Sequence, residues 1–328
     1  MKIYKIIVLS TLLIASVLEA KTISSIKRSS HGQHSKRWKI STDYRYEGMQ
    51  YNKSTANSQG NMNTTEQKLK IGTSFSPSKE HQWSFHSSAN LSQFNKEIEL
   101  EKSNTKIPTE FLGIHFKAGH RHTSTSGKSL STGVSVSSVT EKPFQNNDDI
   151  IYGISTKYKV PRGKNAWIFG INYSYSKNSS NIPFPIASYS YNPNSKFQAL
   201  IGIPMTITYS PTDKLKLSAM YAPARTVMTK ASYSIYDKTQ LYAGFVWKNP
   251  RSYKIADRED KESSIFLDEK RYFIGGKTPL SDNINLDLGT SYLFDRTVFE
   301  GKKYSKRSSD DLNLKNEIRL LASLSISF

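Results

Sequence analysis

His120, His122 and Ser124 are the residues whose types and spacing come nearest to chemistry. On a strand, alternate side chains share a face, so His122 and Ser124 could point the same way. An imidazole beside a hydroxyl can take its proton and make the oxygen a nucleophile. His120 and His122 share a face by the same rule and could offer two nitrogens to a metal. Neither arrangement is complete. The stretch 121–127 is rich in Ser and Thr and reads as a turn, and two imidazoles without further nearby ligands rarely hold zinc. Elsewhere the charged stretches 258–262, 268–271 and 302–311 read as solvated hairpins or loops, tied by ion pairs worth tenths of a kcal/mol to about 1 kcal/mol. A Gly-rich phosphate loop and calcium-loop spacing are both absent. The residues therefore predict no enzyme, and no catalytic, cofactor-binding or metal site.

What must position such residues is a long series of strands. The last one shows the pattern best. Ile318, Leu320, Ala322, Leu324, Ile326 and Phe328 make one apolar row, and Arg319, Ser323, Ser325 and Ser327 a polar one, with Leu321 the exception. The same two-residue period opposes Trp167, Phe169, Ile171, Tyr173 and Tyr175 to Ile168, Gly170, Asn172, Ser174 and Ser176. It returns in 284–295, in 241–247 and in 69–75. Short turns built on Pro, Ser, Asp and Asn occur at 76–79, 160–164, 192–196, 210–214, 236–239 and 278–282, with 121–127 a less typical seventh. Longer polar loops occupy 52–62, 96–108, 141–148, 178–184, 257–262 and 300–311.

Placing strands between these signals gives 36–51, 63–76, 81–95, 109–120, 128–140, 149–160, 165–177, 185–191, 196–203, 205–210, 214–222, 226–236, 240–256, 263–277, 283–299 and 312–328. The count is about 16, and falls to about 14 if the chain runs straight through Pro204 and Pro223. One apolar row per strand, with short turns on one rim and long loops on the other, is the pattern of an antiparallel transmembrane β-barrel. The fold class is thus all-β, with both termini on the short-turn, periplasmic side. Trp38, Trp83 and Trp167 each open a strand that leaves that side, where indole favours the lipid–water boundary.

The totals agree. After the first twenty residues no apolar run is long enough for a membrane-spanning helix, so a membrane role must be carried by alternation. Residues 1–20 read as a secretory signal: Lys2 and Lys5, an apolar stretch from Ile6 to Leu18, then Ala20. Residues 21–35 read as a disordered basic periplasmic arm and 36–328 as the barrel domain. There is no cysteine, which excludes disulfides and an acylated lipoprotein terminus. The net charge of +19 is spread through turns and loops, which disfavours a nucleic-acid module and favours outer-membrane lipids and the phosphates of lipopolysaccharide as partners.

The segment ending Leu324-Ser-Ile326-Ser-Phe328 resembles the final strand of bacterial outer-membrane barrels, which implies that the barrel-assembly machinery reads Leu324, Ile326 and Phe328. From about Asn181 onward the chain also resembles a family of Gram-negative outer-membrane β-barrel proteins with no assigned activity. The resembling stretches are Pro183-Phe184-Pro185, Tyr209-Ser210-Pro211-Thr212-Asp213-Lys214-Leu215, Ser252-Tyr253-Lys254-Ile255-Ala256-Asp257, Arg271-Tyr272-Phe273-Ile274-Gly275-Gly276 and Tyr292-Leu293-Phe294-Asp295-Arg296. They cover a little under half the chain and imply a barrel and an outer-membrane address. The expected function is a passive, porin-like channel for small solutes with a weak lean toward anions. A non-transporting surface barrel that binds lipopolysaccharide is the alternative, and a lipid hydrolase using His122 and Ser124 is a third.

Overall fold

Strict alternation makes a sheet with one greasy and one wet face, and such a sheet is stable in lipid only if no edge is left unpaired. The computed structural model describes residues 37–49, 64–95, 97–100, 104–176, 183–223, 226–236, 238–248, 251–255, 263–304 and 306–327. The expected leader at 1–20, the arm at 21–35, Phe328 and most of the interior of the loops at 52–62, 178–184 and 257–262 lie outside the described residues.

The strands are β1 (Arg37–Met49), β2 (Thr64–Ser76), β3 (His81–Phe94), β4 (Ile98–Leu100), β5 (Thr105–Ile107), β6 (Glu110–Thr123), β7 (Ser129–Thr140), β8 (Ile150–Arg162), β9 (Asn165–Tyr175) and β10 (Phe184–Tyr191). They continue with β11 (Phe197–Ile203), β12 (Met205–Tyr209), β13 (Leu215–Ala222), β14 (Thr226–Ser234), β15 (Gln240–Trp247), β16 (Arg251–Tyr253), β17 (Ser264–Ser281), β18 (Ile284–Lys303), β19 (Lys306–Leu314) and β20 (Glu317–Ser327). The main sheet has 18 strands, of which β16 and β19 pair only beside β17 and β18, leaving 16 that pass round the cylinder. All neighbours are antiparallel, and β20 pairs with β1 from Ser41–Ser327 to Met49–Arg319, which closes the barrel. The chain turns back at both Pro204 and Pro223, so the count is 16 and not 14. The Ile203–Pro204 peptide is cis.

The greasy face points outward. Ile154, Ile274 and Leu288 are 55%, 59% and 52% exposed, while the residues between them turn into the barrel. Arg37 pairs with Ser76 and Ser327 with Ser41, so both described ends lie at the short-turn rim.

Four local readings change. Residues 300–311 are not a loop, because β18 and β19 continue there as a hairpin above the barrel. The stretch is polar, but ladder hydrogen bonds satisfy its backbone and, outside lipid, the pleat needs no apolar row. The expected strand 240–256 ends at Trp247, and 251–253 forms the separate β16. The loop 96–108 holds the small β4–β5 hairpin. The strand expected to end at His120 runs on to Thr123, so His122 belongs to β6 and not to the turn, which is confined to 124–128.

Because Ile274 faces lipid and Ser174 faces the lumen, Ile274→Arg lowers the unfolding free energy by about 2–4 kcal/mol in lipid vesicles. Ser174→Arg changes it by less than about 1 kcal/mol, since an inward charge keeps its water. Urea titration of the folded barrel measures both.

Candidate functional site

Residues opposite each other in an antiparallel ladder share a face, so the register reads out the lumen. Lys68 pairs with Asn90 and Asn90 with Gly113, while His86 pairs with Lys117. Lys68, His86, His115 and Lys117 therefore stand together on the inner wall of β2, β3 and β6. Lys157 and Lys159 continue the inner wall on β8, opposite Gly170 and Ile168. The residues between are small: Ser84, Ser88, Ser135 and Gly153 among them. Gly72 is small for a reason, since a Cβ there would stand 2.8 Å from Nδ1 of His86.

The opposite wall repeats the scheme. Lys216, Lys230 and Lys277 face inward from β13, β14 and β17. Nζ of Lys230 lies 4.3 Å from the centroid of the Tyr242 ring. The Tyr242 hydroxyl donates to Oδ1 of Asp287 at 2.5 Å. Tyr242 can lie along the wall because Gly275 lacks a side chain, and a Cβ there would come within 2.5 Å of the phenol oxygen. Inward acids are held by partners: Asp43 accepts from Oγ of Ser323 at 3.2 Å, and Asp287 from Tyr242.

A buried charge network ties the closing seam from inside. Arg319 on β20 is fully buried and reaches past β1 to β2. Its Nε donates to Glu317 at 2.9 Å, its Nη1 to Glu66 at 3.3 Å, and its Nη2 to Thr64. Arg296 on β18 meets the same groups: Nη1 is 2.8 Å from Glu317, and Nε is 3.5 Å from Glu269. Glu269 was expected in a solvated hairpin, yet its side chain is only 8% exposed. The sequence signal was weak, because Glu66 and Arg319 lie 253 positions apart and only the closed register joins them.

Above this network the long-loop mouth is bridged by apolar side chains. Phe94, Leu100, Ile107, Phe111, Tyr253, Ile265, Leu267, Val298 and Leu314 form one buried cluster. The Tyr253 ring lies 4.6 Å from Phe111 and 6.2 Å from Phe94. The segment 251–255 pairs with β17 on one side, while N–H of Lys254 donates to the Val139 carbonyl at 3.2 Å on the other. Strands β7 and β17 stand nearly opposite each other in the ring, so this segment crosses the mouth. The β4–β5 hairpin joins it, with Oγ1 of Thr105 donating to Glu300 at 2.8 Å.

The residues expected from the sequence sit as follows. Trp83 and Trp167 face outward near the short-turn rim, 44% and 45% exposed. Trp38 lies in β1, but its side chain is outside the description. The aromatic band there is built mostly of Tyr and Phe: Trp167 meets Tyr189 at 4.7 Å, Tyr191 meets Phe197 at 6.3 Å and Phe197 meets Tyr209 at 6.4 Å. A second outward band, Phe245, Tyr272 and Phe294, lies toward the other rim. Leu324 and Ile326 face outward on β20, opposite Tyr44 and Thr42. Oγ of Ser124 is engaged inside its own turn, 2.9 Å from Oγ of Ser126 and donating to the Lys128 carbonyl at 3.2 Å.

No family model matches the chain, and no curated protein matches it either. Among solved structures, an outer-membrane channel of Pseudomonas putida F1 aligns with TM-score 0.38 and 8% identity over 92% of this chain and 100% of its own. The TodX monoaromatic hydrocarbon channel aligns with TM-score 0.42 and 8% identity over 88% and 89% of the two chains. OmpF of Salmonella typhi aligns with TM-score 0.38 and 9% identity over 89% and 97%. These likenesses carry no argument about function, and the barrel assignment rests on the ladder itself.

Removing one member of a buried ion network leaves the others uncompensated, so Arg319→Ala lowers stability by about 3–5 kcal/mol. The Arg319→Met and Glu317→Met pair together loses less, because one charge of each sign leaves and Arg296 keeps Glu269. Urea midpoints of the refolded barrels report the difference.

Proposed function

We propose that the protein is an outer-membrane channel for small solutes that favours anions, with its short-turn rim in the periplasm. The observation that carries this reading is the inner wall: Lys68, Lys117, Lys157, Lys159, Lys216, Lys230 and Lys277 over small residues, while Asp43 and Asp287 accept hydrogen bonds and Glu66, Glu269 and Glu317 are drawn into the seam network. A ring of ammonium groups raises the local concentration of anions and repels cations. The apolar bridge across the long-loop mouth acts as a dewetted constriction, so conduction requires it to shift. In this reading outer-membrane lipids surround the two aromatic bands, and basic loops meet lipopolysaccharide phosphates. The assembly machinery takes hold of the last strand through Leu324, Ile326 and Phe328. The chain performs no reaction of its own.

The same bridge favours a second reading, a sealed barrel that presents its surface and transports nothing. Planar-bilayer recording separates the two. A channel gives salt-dependent steps whose reversal potential in a gradient favours the anion. Tyr253→Ala raises the fraction of time open roughly tenfold or more, since truncating a buried aromatic removes about 3–5 kcal/mol from the packed state. Replacing Lys216 and Lys230 together by Glu moves the reversal potential toward the cation side. Silence from both the parent chain and the Tyr253 variant supports the sealed barrel instead.

A further inference from the structure

Strand β3 begins where the β2–β3 turn ends, and its first residue, His81, stands directly opposite His122 of β6. The next outward position of β3, Trp83, stands opposite His120. Three imidazoles therefore gather on the outer face of the barrel at the short-turn rim. Nδ1 of His81 lies 3.0 Å from Nε2 of His120. The His81 and His122 rings are 4.7 Å apart between centroids. Glu80 adjoins them, and one ligand atom each from Glu80, His81 and His122 lie within 4.8 Å of one another. The turn that carries Glu80 is held in place: Oγ of Ser78 accepts from the amides of Glu80 and His81 at 3.3 and 3.2 Å, and the Glu80 carbonyl accepts from the Thr123 amide at 2.7 Å.

A second observation points to a ligand. Nδ1 of His122 is shielded from solvent and has no hydrogen-bond partner. A buried polar nitrogen without a partner costs about 1–3 kcal/mol, and a bound cation removes that cost. The geometry points to a site for a first-row divalent transition ion, Zn²⁺ or a neighbour, held by His81, His120 and His122 with Glu80 as a fourth ligand. Imidazole nitrogens with one carboxylate suit these ions and not calcium or magnesium. Zn–N bonds of about 2.0–2.1 Å place tetrahedral ligands about 3.3–3.4 Å apart, so the His81–His120 pair needs to open by only a few tenths of an ångström. Glu80, His81 and His122 must close by up to about 1.5 Å, and His120, which among these groups meets only His81, must turn toward the other two, all within reach of side-chain rotations at the strand ends. Four protein ligands make a closed site, which is structural and not catalytic. It would clamp the β2–β3 turn to the end of β6, beside Trp83 at the membrane boundary.

The test is a titration of the full chain, refolded in detergent, first with Co²⁺ and then with Zn²⁺ in competition. The expected result is one saturable equivalent with the visible bands of tetrahedral Co²⁺, displaced by Zn²⁺. His81→Ala and His122→Ala lose that equivalent, and Glu80→Gln weakens it. His86→Ala and His115→Ala keep it, because those imidazoles face the lumen. His31 and His34 remain in every variant, so whatever they bind persists in the His81→Ala, His122→Ala double variant and is subtracted. Zn²⁺ also raises the urea midpoint of the parent chain but not of the double variant. Absence of a saturable equivalent in the parent overturns the site, as does a double variant that binds as the parent does. If the alanine variants fail to fold, an unchanged Co²⁺ spectrum and affinity in Glu80→Gln, with no Zn²⁺-dependent rise in the parent's urea midpoint, also overturns it.

Discussion

The constraint on which everything else rests is that a backbone amide in hydrocarbon has no water to bond. A sheet meets it only by leaving no edge, and this chain meets it where β20 lies against β1. That seam joins residues nearly 290 positions apart in sequence, from Ser41 opposite Ser327. It is therefore the pairing with the largest loop-closure cost and the last that a growing sheet can make. The buried network reinforces it from the wet side: Arg319 on the final strand reaches over β1 to Glu66 and Thr64 on β2, and Arg296 joins from β18. Four consecutive strands of the ring are thus tied across the seam by side chains as well as by the ladder.

The seam also organises what lies inside. It draws Glu66, Glu269 and Glu317 toward two guanidinium groups and leaves the lysines of the remaining wall to set the field of the lumen. Above it the tall strands β17 and β18 carry the apolar bridge, whereas β10 to β15 are short and connected at Pro204 and Pro223 by tight turns. The molecule is lopsided for this reason: one flank builds a dry roof and the other ends near the membrane. An apolar roof over a basic wall is the arrangement on which the proposed channel rests, and the roof lies apart from the lipid-facing ladder.

The architecture was legible where the two-residue period is strict. Strands β9, β18 and β20 follow from their apolar rows, and the prolines at 204 and 223 mark real reversals. The additions above the mouth were not legible, since β4, β5 and β16 have three residues each and β19 carries apolar residues only at its end, Leu312 and Leu314, too few to show a period. Charged residues misled for the opposite reason. Glu269 reads as solvated in sequence, and only the folded barrel, where the ladder shifts between Asp268 and Lys270, turns it inward beside Arg296 under the bridge. The histidine cluster was half visible. His120 and His122 stood out by spacing, but His81, 39 positions from His120, enters only through the β3–β6 ladder.

The most direct measurement is a cross-link at the seam. The chain has no cysteine, so an engineered pair reports without interference. With Ser41→Cys and Ser327→Cys the two Cα atoms face each other at the spacing of opposed antiparallel residues, about 4.5–5.5 Å, which suits a disulfide. The folded barrel should form this link rapidly and completely under mild oxidation, while Ser41→Cys with Ser323→Cys, four residues out of register, should not. Equal linking of both pairs, or none in the folded protein, would mean that the first and last strands do not meet and that the cylinder is not closed as described.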